Sequence, residues 1–217
     1  DPALTQATSV VTVDDKLRVT HSYHPTPATP YLYQVDVIIE NISGADIADL
    51  RYRRVMDFDV EPTYFDEFIT IQGFGSAANL LFSSDNGFEV SNPLGPRTWI
   101  LFTGNAVDAG PQDNGALFDF GFGVLPAGAT KAFRTFYGAA GTEADALAAL
   151  SAVGAEAYAF GQPNTPGGPT LGTPNTAIFA FAGIGGAPIV EPLLNASAWG
   201  VLAVSSVNNL FANNLVK

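Results

Sequence analysis

The stretch RRVMDFDVEP, residues 53–62, sets Asp57, Asp59 and Glu61 at every second position beside Arg53 and Arg54. On an extended chain residues two apart share a face. The three acids therefore lie on one side together with Arg53, and Met56, Phe58 and Val60 lie on the other. Carboxylates this close repel unless a cation sits among them. Hard oxygen ligands of this kind suit calcium, which takes roughly six to eight of them at a site. Asp57, Asp59 and Glu61 supply three, and Asp66 or Glu67 can join after the turn at Pro62. The other cation is local: Arg51, Arg53 and Arg54 can neutralise the acids across neighbouring strands. No D-x-D-x-D-G loop and no glycine-rich nonapeptide repeat accompanies the acids. Spacing alone leaves both readings open.

Little else in the chain points to catalysis. His21 and His24 are three apart on what reads as a strand end, so they face opposite ways and cannot share a metal. There is no G-x-S-x-G, H-E-x-x-H, P-loop or dinucleotide fingerprint, and with no cysteine there is no thiolate nucleophile, thiolate metal site or disulfide. Asp57 with Glu61 could flank a glycosidic bond, but among 21 acids a close pair is expected by chance. The chain is expected not to be an enzyme. For sugar binding, Tyr23, Tyr31, Tyr64, Trp99 and Trp199 are the aromatic candidates, against the competing role of aromatics as core. Asn41 and Asn195 head N-x-S sequons, which matter only in a glycosylating host.

Composition narrows the partners. The 217 residues carry a net charge of −12 with no basic patch, which excludes nucleic acid and anionic lipid as favoured partners and leaves divalent cations. A 47% hydrophobic content with 14% charged residues gives a chain that folds around a core. The opening DPALTQ, without Met or an apolar leader, is what removal of a signal peptide would leave. Richness in Gly, Pro and Phe with few lysines matches exported β proteins.

The elements that must hold these residues are mostly strands. Alternation marks 8–13 and 16–23, split by a tight turn at Asp14-Asp15. It continues through 31–44 and 48–60, with the polar NISGAD between them reading as a hairpin or a sandwich corner. Shorter candidates are 67–73, 78–83, 87–91, 97–103, 116–124, 130–138 and 177–186. LPAG (125–128) precedes a strand in the way sandwich connections do. Gly73-Phe74-Gly75 and Gly121-Phe122-Gly123 read as bends or bulges. One helix is predicted over 142–153, with Thr142 as N-cap, Asp145 three residues on, and Gly154 at the C-terminal end. Leu147, Leu150 and Val153 would face the sheet, and the helix would be a lid over one end of the sandwich. The stretch 161–176 reads as loop.

Three of these stretches, ENISGADIADLRYRRVMDFDVEPTYFDEFITIQG (40–73), FYGAAGTEADALAALSAVGAEAYAFGQ (136–162) and GTPNTAIFAFAGIGG (172–186), resemble exported bacterial β proteins of the PEP-CTERM type. The resemblance implies a secreted or surface-displayed β domain tied to extracellular matrix, and a location more than a chemistry. Val190-Glu191-Pro192 and the apolar run after it take the position of that family's sorting signal. Asn195, Ser197 and Gly200 interrupt the run, Lys217 is the only base after it, and it falls short of the roughly twenty apolar residues that span a bilayer.

The expected architecture is an all-β two-sheet sandwich, jelly-roll or immunoglobulin-like, over 1–186, with one short helix and a C-terminal tail at 187–217. From Trp199 to Phe211 an extended tail would be apolar on both faces, which suits a strand buried on both sides. Trp199, Val201, Leu202, Val204, Val207 and Leu210 are therefore the expected subunit contacts, as a donor strand exchanged between copies. The expected function is a bacterial extracellular structural or assembly protein, its main partner being itself in a homopolymer or homo-oligomer, with polysaccharide as a further partner and no membrane span. The alternative is a monomeric calcium- or glycan-binding surface module.

Overall fold

The computed structural model of the protein describes residues 5–190 together with Ser205–Ser206 and Asn209–Leu210. Strand β1 (Ala7–Val13) and strand β2 (Leu17–Pro25) form the predicted hairpin. Asp14 and Asp15 adopt positive φ of 50° and 52°, and the Lys16 amide closes the turn on the Val13 carbonyl at 3.0 Å. Two successive left-handed residues match the twist of the flanking strands. Strand β3 (Leu32–Asn41) pairs with β2, and the chain then leaves this sheet. Asn41, fully buried, turns the corner: its amide donates to the carbonyls of Ala45 and Leu125 at 2.9 Å each, and its carbonyl oxygen accepts from the Ser43 amide. The NISGAD stretch is thus a sandwich corner rather than a hairpin, and folding closes the Asn41 sequon to modification.

Eight further strands and one α-helix complete the body, with a short 3-10 turn at Pro169–Leu171. They are β4 (Ile47–Asp57), β5 (Glu67–Gln72), β6 (Leu80–Ser84), β7 (Ala106–Gln112), β8 (Gly115–Leu125), β9 (Thr130–Ala140), helix α1 (Glu143–Val153), β10 (Ala157–Pro163) and β11 (Thr176–Ala182). The strands form two antiparallel sheets of unequal width. The large one runs β1-β2-β3-β9-β11-β10-β5-β7 and the small one β4-β8-β6. The expected all-β sandwich is the fold. Between the sheets, Phe118 and Phe120 of β8 meet Phe179 and Phe181 of β11, with the Phe120 and Phe181 ring centroids 4.8 Å apart. Gly121-Phe122-Gly123 is the bulge expected: Leu50 faces Gly123 while Arg51 faces Gly121, so Phe122 is the extra residue, and Gly123 has φ +70°.

Helix α1 is capped as predicted. Thr142 accepts from the Asp145 amide at 3.1 Å, and Gly154 is left-handed at φ 62°. Its place differs from the expectation. It covers the outer face of the large sheet over β9 and β11, not an end of the sandwich. Ala146, Ala149, Leu150 and Val153 are buried there against Phe136, Phe160 and Ile178, while Leu147 is only partly covered. The body is therefore three layers: small sheet, large sheet, helix. Among the described residues no helix is long and apolar enough to cross a membrane.

Double coverage explains one strand that periodicity missed, and an irregular edge explains the other. Every residue of β10 is buried, so its sequence AYAFGQP shows no alternation. Strand β7 holds Gly110-Pro111 and pairs with β5 through two register shifts. The stretches 87–91 and 97–103, expected as strands, instead belong to a long loop between β6 and β7 that makes only an isolated Ser84–Thr103 bridge.

The body also extends past the expected boundary at 186. The Ile189 amide donates to the Ala155 carbonyl at 2.7 Å, and its side chain joins the helix-side cluster. In the tail, Ser205–Ser206 pairs antiparallel with Asn209–Leu210, which includes the expected contact residue Leu210. Trp199, Val201, Leu202, Val204 and Val207 lie outside the described residues.

Leu150 is fully buried between α1 and the large sheet. Leu150→Ala should lower unfolding free energy by about 2–5 kcal/mol, the range for a truncated buried leucine. Denaturant titration measures it, and a loss of a few tenths would mean that α1 does not pack as described.

Candidate functional site

Strand β4 ends at Asp57, short of the expected 60, yet the alternation carries on in the extended chain beyond it: Phe58 and Val60 are buried while Asp57, Asp59 and Glu61 face solvent. The arginines of β4 turn elsewhere. Arg51 pairs with Asp49 at 2.7 Å, Arg53 forks onto both carboxylate oxygens of Asp119 at 2.6 and 2.9 Å, and Arg54 donates to the Tyr137 hydroxyl at 2.6 Å. The expected arginine ladder over Asp57, Asp59 and Glu61 is replaced by these partners. Burial, then the charges of Asp59 and Asp113, push the Asp57 carboxyl above its usual range. Asp66 instead accepts from the Asn164 side chain at 2.9 Å. Glu67 is fully buried, accepts from the Val60 amide at 3.2 Å, and is raised by burial. Among the described residues, no three such groups are gathered in an arrangement that could hold a metal ion.

Asp119 was not foreseen as important. It lies between Phe118 and Phe120, so alternation turns it to the outer face of the small sheet. There the β6–β7 loop covers it, and Arg97 adds a second ion pair at 2.9 Å. Arg53 also donates to the Val90 carbonyl at 3.0 Å, and the Arg97 guanidinium stacks 4.1 Å over Phe82. Asp85 receives the amides of Leu101 and Phe102, so buried acids pin the loop at several points. Removing one partner of such a buried pair strands the other charge, at a cost of about 3–5 kcal/mol.

One side of the sandwich is left open. The small sheet ends at β4, and β1 and β2 overhang it. Val11 and Val13 of β1 pair in register with Val19 and Leu17 of β2, and this face continues the one that buries Ile39 and Val37 of β3 between the sheets. Among the described residues no strand lies opposite, and Val11 is 48% exposed. The result is a cleft of about 800 Å³ between the β1–β2 face, the β4 segment Ile47–Arg53 and the loop at Ser91–Leu94.

At the inner end of the cleft, His21 meets the Tyr52 hydroxyl at 3.0 Å. Burial, then the nearby Arg54 charge, lowers the His21 pKa, and burial raises the Tyr52 phenol to about 12, so both groups are neutral near pH 7. His24 faces the other way, as predicted, and bonds Asp36 at 2.8 Å. That bond, then one to the Pro25 carbonyl, raises its pKa.

Among the described residues, two strand edges flank this cleft without partners, β1 in the large sheet and β4 in the small one. Strand β1 is regular over seven consecutive pairs and carries neither charge nor proline. The opposite edge, β7, is shifted twice in register and holds Gly110-Pro111, features that discourage pairing. An apolar cleft bordered by free strand edges can take an extended chain, whose main-chain groups pair with an edge while side chains fill the cleft.

The aromatic candidates for sugar sit apart: Tyr31, Tyr64 and Trp99 lie on three different loops, Trp99 being 89% exposed. Tyr23 packs against the core, and Trp199 is outside the described residues. No protein-family model, curated protein or solved structure matches the chain.

With Asp66 and Glu67 held elsewhere, the melting temperature is expected to be the same in calcium and in excess chelator. A fall in chelator would identify a cation bound to the folded state, most simply one relieving the repulsion among Asp57, Asp59 and Asp113.

Proposed function

We propose that the protein is an exported structural subunit, built into an extracellular filament, sheath or matrix by strand exchange between copies. The observation that carries this reading is the open side, where two overhanging strands present an apolar inner face beside two unpaired edges. Such a surface is an aggregation hazard in a chain meant to stay alone and a docking surface in one meant to assemble. The sequence resemblance to exported PEP-CTERM-type proteins supports the extracellular location. We assign the chain no catalytic role.

A second reading, a monomeric calcium- or glycan-binding surface module, is favoured by one observation each. For calcium it is the unrelieved repulsion at Asp57, and for glycan the bare indole of Trp99.

Because Ile189 belongs to the body, the informative truncation ends at Val190. The full chain should form polymers visible by negative stain and eluting early from a sizing column. The chain ending at Val190 should fold with an unchanged circular dichroism spectrum and elute as a monomer. A full chain that is monomeric at high concentration would contradict the proposal.

A further inference from the structure

We infer that the cleft between β1–β2 and β4 is the acceptor, and that its occupant is the segment 197–206 of a second copy of this chain, added to the free edge of β4 as a fourth strand of the small sheet. This inference rests on the assembly reading above and names the site and partner for it.

The small sheet is one strand short at this place. Every other strand of the large sheet from β3 to β5 has buried residues on its inner side, whereas β1 has none. A strand set beside β4 would lie over Val11, Val13, Leu17 and Val19 and take them out of water. Its outward face would meet Leu94, which borders the cleft and is 77% exposed. The occupant must therefore be apolar on both faces. The segment from Ser197 has that pattern, with Trp199, Val201 and Ala203 at one parity and Leu202 and Val204 at the other. Counted to Ser206, which pairs with Asn209, it gives ten residues against the seven of β1.

Charge favours the same occupant. Beyond Val190 the only charged side chains are Glu191 and Lys217, which cancel, so the whole net charge of −12 stays on the body. Two bodies repel one another, and a neutral strand is the part of one copy that can enter another without apposing like charges.

The chain's own tail reaches this cleft poorly. Ile189 is anchored at Ala155 on the helix side of the large sheet, beside the start of β10. From β10 to β1 the sheet crosses β11, β9, β3 and β2. That is about 24 Å at the usual strand spacing, with about 10 Å more to pass from the helix face to the space between the sheets. The link from Ile189 to Ser197 spans about 26–29 Å fully extended. It would be taut even on a straight path, and the strands lie in the way. A neighbour's tail has no such limit. The contact is heterologous, so it propagates from copy to copy.

The full chain has no cysteine, which makes crosslinking clean. Val11→Glu places a charge at a site half exposed in the free subunit, so folding should be unchanged. Once the cleft is filled, that charge is removed from water, and assembly should weaken at least about thirtyfold. Val107→Glu on β7, at a residue 69% exposed on the opposite edge, should assemble normally. Chains carrying Val13→Cys, mixed with chains carrying Val201→Cys and oxidised in the assembled state, should give a disulfide-linked dimer. The inference is overturned if Val11→Glu assembles like the unaltered chain. It is also overturned if a chain carrying both cysteines closes its disulfide within itself while the mixture gives none. If Val11→Glu still assembles and the chain ending at Val190 does not, the acceptor is wrong and the assembly reading survives. A full chain that never assembles removes both.

Discussion

A wide sheet is stable only where both of its faces are covered, and in this protein the covers are narrower than the sheet. The middle strands β9, β11 and β10 have the small sheet on one side and α1 on the other, and the phenylalanines of β8 and β11 fill the space between sheets. Coverage fades toward β1. The core, the helix placement and the open cleft are consequences of one mismatch, eight strands against three.

The same mismatch decides how much of the molecule could be read beforehand. Strands with one wet face, such as β3 and β4, show their alternation openly, and Asp14-Asp15 announces its turn. Strand β10 is covered twice, so its residues are buried on both faces, Gln162 included, and periodicity has nothing to report. The caps of α1 are local, Thr142 and Gly154, and were legible. Which face the helix covers depends on strand order, and that is set by pairings far apart in the chain. The cleft is less legible still, because Val11 and Val13 look like any alternating strand until the opposing sheet is seen to stop at β4.

The charged residues teach a related lesson. Spacing placed Asp57, Asp59 and Glu61 on one face correctly, but the arginines beside them turn to partners that only the fold supplies. Asp119, 66 residues from Arg53, is the partner that matters, because it holds Arg53 and Arg97 under the β6–β7 loop and so shapes one wall of the cleft. Without that buried pair the Ser91–Leu94 segment would lose its anchor at Val90.

The central claim is that β4 presents an edge which another chain completes. Hydrogen–deuterium exchange of the full chain, assembled and dissociated, reads this edge directly. The account predicts that those amides of Ile47–Arg53 that point away from β8 exchange readily in the free subunit and become protected on assembly, while those of β7 do not change. Assembly that leaves those outward amides of Ile47–Arg53 unprotected would contradict it.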